Sequence, residues 1–253
     1  MSAGDGTVEW VCGRFVSSSS PADLASYFGA AEVTDGPAEP RYNVAPTEDV
    51  FVVRSDGGER RVESFHWGLV PMWAEDPKVG NRMINARSET LSRKGAFRPA
   101  FERRRCLVPA DGFYEWDKVA GQKRAQPYFV HPPPDGELYA FAGLWERWRR
   151  RGRHDPDVLC STTIVTTGAN GVMAEIHDRM PVILPASDWD DWLDPANDDL
   201  DALAQLLAPA PDELTVLRPV GTGVGNVANQ GAHLIDEVEP AGEATLPGFG
   251  SAG

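Results

Sequence analysis

The sequence predicts a single α+β domain with a largely antiparallel, barrel-like mixed β core and short peripheral helices. Three observations point there. Between residues 106 and 166, strand-like runs follow one another through turn-rich connections, the texture of a meander. Few stretches read as strand, helix, strand, so a doubly wound parallel sheet is not indicated. A chain of 253 residues also buries a substantial core within one unit.

Residues 1–11 show no periodicity and are expected to be an N-terminal extension that is disordered, removed or not translated, ahead of a domain spanning 12–238. Ser20-Pro21-Ala22-Asp23 supplies an N-cap and a proline at the first helical position, and Gly29 a stop, so 21–28 is predicted helical. Strands at 50–54 and 61–67 flank Ser55-Asp56-Gly57-Gly58, a hairpin signal. A Pro- and Trp-rich loop follows to Asn81. The run from Asn85 through the basic residues up to Arg105 reads as partly helical. Strands are predicted at 106–108, 112–116, 128–130, 138–145 and 159–166, separated by Gly121-Gln122, Pro132-Pro133-Pro134-Asp135-Gly136 and Gly152. Then come a short helix at 170–177, a strand at 180–184, acidic helices at 187–193 and 198–207 and a strand at 214–220. A flexible tail is expected over 239–253.

Composition narrows the function. Cys12, Cys106 and Cys160 are an odd number, lie far apart and form no CxxC pair, which argues against a disulfide framework or zinc knuckle and for a reducing compartment. There is no basic start before an apolar run and no stretch of about 18 apolar residues. A cytoplasmic protein is expected, nucleoid-associated when bound to DNA, with no membrane partner, and a monomer. No metal or cofactor motif is present, so none is expected. The net charge of -14 opposes nucleic-acid binding, because phosphate affinity comes from Lys and Arg. Its distribution is uneven, however: Arg82, Arg87, Arg93, Lys94, Arg98, Arg103, Arg104 and Arg105 face only Glu89 and Glu102, whereas 181–217 carries acids and no base. With Arg14, the basic stretch is expected to line one groove and the acids another face.

Several side chains suit chemistry. A cysteine whose backbone nitrogen is a free amine captures an aldehyde twice, as an imine and then by sulfur closure to a thiazolidine. An internal Cys12 cannot, since its nitrogen is an amide; the alternative is a buried structural cysteine. A strand through Gly112-Phe113-Tyr114-Glu115-Trp116 places Phe113 beside Glu115 and the other aromatics opposite, which desolvates the acid or else turns it to solvent. His177, in Ile176-His177-Asp178-Arg179, suits proton shuttling or simple capping of a helix end. Asn85 and Arg87 can present an amide and a guanidinium to a sugar-phosphate. Trp67, Trp73 and Trp116 can stack on bases or fill the core. Gly221-Thr222-Gly223-Val224-Gly225 lacks the phosphate-loop spacing and reads as a tight turn.

Seven motifs, taken in order, carry more than any one of them. Cys12-Gly13-Arg14-Phe15, Arg41-Tyr42-Asn43-Val44-Ala45-Pro46, Trp67-Gly68-Leu69-Val70-Pro71, Asn85-Ala86-Arg87-Ser88-Glu89-Thr90, Pro109-Ala110-Asp111-Gly112-Phe113-Tyr114-Glu115-Trp116, Ile176-His177-Asp178-Arg179-Met180-Pro181 and Val224-Gly225-Asn226-Val227 together resemble the SOS response-associated peptidase (SRAP) family. The resemblance implies a sensor of abasic sites in single-stranded DNA and at single-strand/double-strand junctions that forms a covalent thiazolidine cross-link through the amine and thiol of Cys12. It implies Cys12 as nucleophile, Asn85 holding the sugar or amine, Glu115 as acid/base and His177 as a proton shuttle also serving reversal. Arg14 and Arg87 would hold phosphates, Trp67 and Trp73 would pack near displaced bases, and Asn43 and Thr166 complete the DNA-binding set. The family name leaves a second reading, a thiol peptidase using Cys12 and His177, acting if only on its own N-terminus; a third is a DNA-binding module without covalent chemistry. One departure matters: in the family the cysteine directly follows the initiator Met, whereas here eleven residues precede it. Initiation at Val11, proteolytic removal of 1–11, or loss of the chemistry each account for this, and initiation at Val11 is favoured.

Overall fold

A computed structural model describes residues 12–34, 36–37, 39–117, 125–133, 137–149 and 158–240. The expectations for 1–11, for the turns at 121–122, 134–136 and 152 and for the tail past 240 lie outside the described residues. The described residues run through β1 (Phe15–Ser17), α1 (Pro21–Phe28), β2 (Glu32–Val33), β3 (Arg41–Val44), β4 (Asp49–Asp56), β5 (Glu59–Trp67), β6 (Asn85–Arg87), α2 (Arg98–Arg103), β7 (Arg105–Ala110), β8 (Gly112–Asp117), β9 (Gln126–His131), β10 (Tyr139–Trp148), β11 (Leu159–Gly168), β12 (Arg179–Pro181), α3 (Trp189–Leu193), α4 (Leu200–Gln205) and β13 (Val216–Pro219).

Local chemistry explains the first elements. Ser20 Oγ accepts the Asp23 N–H at 3.2 Å, Pro21 opens the helix, and Gly29, at φ 60°, closes α1 in the left-handed region. The hairpin between β4 and β5 turns on Gly57 and Gly58, both at positive φ, which a two-residue connection of this hand requires.

Five strands close a mixed barrel. β5 pairs with β4, β4 with β7, β7 with β10 and β10 with β11, all antiparallel. Ser161 and Thr162 of β11 then lie parallel to His66 and Trp67 of β5 and shut the ring. β2 adds to β5, while β6 and β12 add to β11. A second sheet, in the order β13-β9-β8-β1-β3, is antiparallel throughout. Alternation along the barrel strands feeds two cores. Val53, Leu107, Ala142 and Val165 pack under residues of the helices, including Leu24, Phe101 and Trp192. Their neighbours Val52, Cys106, Phe141 and Ile164 pack against the second sheet, in a cluster that also holds Cys12, Phe15 and Phe113.

The predicted single α+β domain with a barrel-like mixed β core and short helices is therefore what forms. Two elements differ. Asn85–Arg87 is a strand, because Ile164, Val165 and Thr166 of β11 offer it a parallel edge, and only Arg98–Arg103 of the basic run is α-helical. In 170–177 just Met173–Glu175 forms a 3-10 turn. Among the described residues no helix is long and apolar enough to cross a membrane.

Candidate functional site

β1 and β8 build the centre of the site. Phe15 pairs with Phe113 and Val16 with Gly112, and the Tyr114 N–H donates to Arg14 O at 3.0 Å, carrying the ladder toward Cys12. Gly112 is required here, since a Cβ would sit 2.6 Å from Val130 O. Phe113 faces the cluster that holds Cys12, while Tyr114 and Trp116 belong to another. Glu115 does not reach solvent. It is 3% exposed, and its Oε1 accepts the backbone N–H of the fully buried Cys12 at 2.5 Å. Cys12 itself has φ 46°, a left-handed conformation that costs a non-glycine residue on the order of 1–3 kcal/mol. Burial, with the Glu115 carboxylate adding to it, pushes the Cys12 thiol well above its ordinary value, so here it is a protonated thiol rather than a thiolate.

The flank is set by β11. Asn85 lies opposite Ile164 and the exposed Arg87 opposite Thr166, which is buried. Arg179 Nη2 donates to Thr166 O at 2.7 Å and to Thr166 Oγ1 at 3.2 Å, and the same guanidinium grips Glu89 through both carboxylate oxygens at 2.6 and 3.2 Å. That fork holds the Glu89 carboxyl below its usual value and clamps the segment after Arg87 to the start of β12. Neither Glu89 nor Arg179 carries a signal of its own in the sequence, although both stand inside the motifs that carry Asn85 and His177. The Arg179 backbone N–H donates to His177 Nδ1 at 3.0 Å. The Asp178 carboxylate lies 3.2 Å from the same nitrogen, so Nδ1 is engaged from two sides and Nε2 is the nitrogen left to exchange a proton. Ile84, next to Asn85, and Met173 and Met180, on either side of His177, pack in the cluster that holds Cys12. Among the described residues no hydrogen bond joins Cys12 to His177, the contact a thiol-peptidase pair is built on.

Arg14 and Asn43 work together. Arg14 Nη1 donates to Asn43 Oδ1 at 2.8 Å and to Val224 O at 2.9 Å, with its guanidinium 6.0 Å from the Trp116 ring. Asn43 is fully buried, and its amide donates to the carbonyls of Val224, Asn226 and Asn229. Its place is to tie the glycine-rich segment to Arg14; being inaccessible, it offers DNA no contact in this structure. That segment turns carbonyls toward the arginine, the opposite of a phosphate cradle.

The two tryptophans part company. Trp67 is fully buried, edge-on to Phe15 at 5.2 Å, and its indole N–H donates to Ile84 O at 3.0 Å, leaving no face for a base. Gly68, at φ 142°, comes so close to Gly80 that a Cβ would lie 2.7 Å from the Gly80 carbonyl, and this folds the next loop back on itself. At its tip Met72 and Trp73 are 53% and 55% exposed. Trp67→Ala is therefore expected to cost about 3–5 kcal/mol of stability in urea unfolding. Trp73→Ala should leave stability within about 0.5 kcal/mol and lower affinity for single-stranded DNA; a stability loss as large as that of Trp67→Ala would place the Trp73 ring in the core.

The single basic groove is not formed as expected. Arg82, Arg87, Arg93 and Lys94 are exposed, but Arg105 is buried and donates to the carbonyls of Trp192, Phe101, Glu102, Asp194 and Asn197. Arg103 donates to Pro195 O at 3.0 Å, and Arg104 pairs with Glu146. The end of the basic run thus fastens the acidic segment after α3 to the barrel rather than facing away from it, because a helix end with orphan carbonyls attracts guanidinium donors.

Comparison with known proteins places this arrangement. Residues 11–227 match the model of the SOS response associated peptidase (SRAP) family. The chain is 39% identical over 231 residues to the abasic site processing protein YoqW of Bacillus subtilis, covering 89% of this chain and 99% of that one. It is 31% identical to YedK of Escherichia coli, over 90% and 100% of the two chains, and 32% identical to HMCES of Gallus gallus, over 81% and 68%; both of these are also named abasic site processing proteins. Among solved structures, a protein from Bacteroides thetaiotaomicron superimposes with a TM-score of 0.78 at 22% identity, over 90% of this chain and all of that one, a likeness of fold. A phage-related protein from Bordetella bronchiseptica gives 0.64 at 31% identity, over 83% and 94%.

Proposed function

This chain belongs to the SOS response associated peptidase family, and from that premise we propose that it senses abasic sites in single-stranded DNA and cross-links to them through the α-amine and thiol of Cys12. One observation carries the reading: the Cys12 nitrogen, its thiol and the Glu115 carboxylate share one enclosed place, with Glu115 Oε1 2.5 Å from that nitrogen. Once the Val11-Cys12 bond is cut or never made, the amine adds to the aldehyde of the ring-opened sugar and water leaves as the imine forms. The thiol then adds across the C=N bond, the nitrogen takes up the sulfur's proton, and the ring closes as a thiazolidine. Glu115 is the group placed to take and return protons at the nitrogen. Asn85 and His177, whose neighbours Ile84, Met173 and Met180 pack in the cluster that holds Cys12, are assigned to the sugar and to proton transfer, while Arg14 and Arg87 are the guanidiniums assigned to phosphate. A free terminus also removes the preceding carbonyl that gives Cys12 its left-handed φ.

The peptidase reading is less well supported, because the Cys12 thiol is raised rather than lowered and has no imidazole partner among the described residues. Incubation with abasic single-stranded DNA followed by a denaturing gel tests the proposal, since only covalent chemistry gives a heat-stable slow band. Arg87→Ala is expected to weaken binding of single strands and to flatten the dependence of log affinity on log salt by about 0.7, one phosphate contact. An unchanged slope would take Arg87 out of the interface.

A further inference from the structure

Thr166 stands near one end of β11; Cys160 stands near the other, six residues back, about 20 Å away at roughly 3.3 Å per residue. There a cavity of about 380 Å³ opens among Arg54, Arg103, Arg105, Arg147 and the half-buried Cys160. Its two acids are already neutralised: Arg54 pairs with Glu63, and Asp56 lies 3.5 Å from Arg54 and 3.6 Å from Arg61. Arg105 is spent on main-chain carbonyls. Arg103 and Arg147 are exposed at the rim, Arg147 opposite Cys160 across β10 and β11 and Arg103 bonded to Pro195 O. Each guanidinium has five N–H groups, so both keep donors to offer. Asp190, Asp191 and Asp194 line the adjoining hollow, which shares Ser55, Gly57, Leu193 and Pro195 with this cavity; Asp190 is held by Arg60 at 2.6 Å, and Asp194 is offset by the buried Arg105.

We propose that this cavity binds a phosphate group, with Arg103 and Arg147 as its donors. It is a surplus of positive charge in a chain of net charge -14, and arginine's planar fork fits phosphate oxygens two at a time. The phosphate has two possible sources, the backbone of a bound DNA strand or a nucleotide free in solution. The DNA source rests on the proposed function above: a strand held at Arg87, which lies opposite Thr166, must run about 20 Å along β11 to reach the cavity.

Cys160 is the reporter. Its alkylation is followed by peptide mass, so that Cys12 and Cys106 are scored separately. A fifteen-nucleotide single strand is expected to slow Cys160 alkylation at least fivefold at low salt, and Arg103→Glu with Arg147→Glu should abolish that protection. Protection by millimolar inorganic phosphate or a nucleoside monophosphate, but not by the oligonucleotide, also supports the site and assigns it to free nucleotide. Arg147→Glu alone, which breaks no main-chain bond, repeats the test should the double variant unfold. The inference is overturned if nothing protects Cys160, or if protection survives charge reversal in folded protein. An abasic dinucleotide is too short to span both sites and should cross-link equally to wild type and variant; wild type failing on it would count against the proposed function and not against this cavity.

Discussion

A chain that begins at Cys12 is expected to turn abasic single-stranded DNA into a heat-stable, slow-migrating product, and a chain locked to begin at Met1 is expected to form none. The difference lies in one nitrogen. As an α-amino group its unperturbed pKa is about 8, so an appreciable fraction is nucleophilic near neutrality. As the amide of Val11-Cys12 its lone pair is held in peptide resonance and does not add to an aldehyde. Geometry adds a second reason, because the nitrogen sits against the Glu115 carboxylate in a buried place, where a free amine meets its proton acceptor. Cys12→Ala with a free terminus separates the two steps. Its amine still forms an imine, trappable by borohydride, but no sulfur closes the ring, and left alone the adduct releases DNA. Intact mass establishes where each preparation starts. A Met1-initiated chain shown to be unprocessed, yet forming the product as fast as the Cys12-initiated one, ends the aminothiol mechanism for this protein.

What could be read in the sequence follows from how local each signal is. α1 and the Gly57-Gly58 hairpin were legible because their caps and turns are written within a few residues. The barrel was legible as a class but not in its closure, which depends on parallel contacts between β5 and β11, strands far apart in the chain. The same cause hid β6: nothing in Asn85-Ala86-Arg87 announces a strand until Ile164 to Thr166 supply its partner. Residue type misled where burial decides. Trp67 and Asn43 have the chemistry of DNA-binding residues, yet the loops they anchor bury them completely. Arg105 counted as free charge until the carbonyls at the end of α3 and just after it claimed it. Glu115 went the other way: of the two readings open to a strand acid, enclosed or turned to solvent, burial beside Cys12 is the one that forms.

Glu115→Gln is expected to keep DNA binding and slow cross-linking by about 10²-fold, the scale on which a positioned acid/base contributes. The amide is close to isosteric, so its oxygen can still accept from the Cys12 nitrogen and the local packing survives. What it cannot do is take a proton from the attacking amine and return one to the leaving water. At 3% exposure the position leaves little room for bulk water to substitute. His177→Ala should act on a different balance. With Nδ1 engaged by the Arg179 N–H and the Asp178 carboxylate, Nε2 is the nitrogen that passes a proton to and from the sugar oxygen in both directions, so reversal should slow at least as much as formation. Formation is read as a single-turnover time course on denaturing gels, and reversal as transfer of the protein from a preformed cross-link to a labelled competitor oligonucleotide. If both variants, folded and binding DNA as wild type does, show unchanged rates in both assays, neither side chain belongs to the mechanism, and the Cys12 amine must exchange its protons with water admitted to the site when DNA binds.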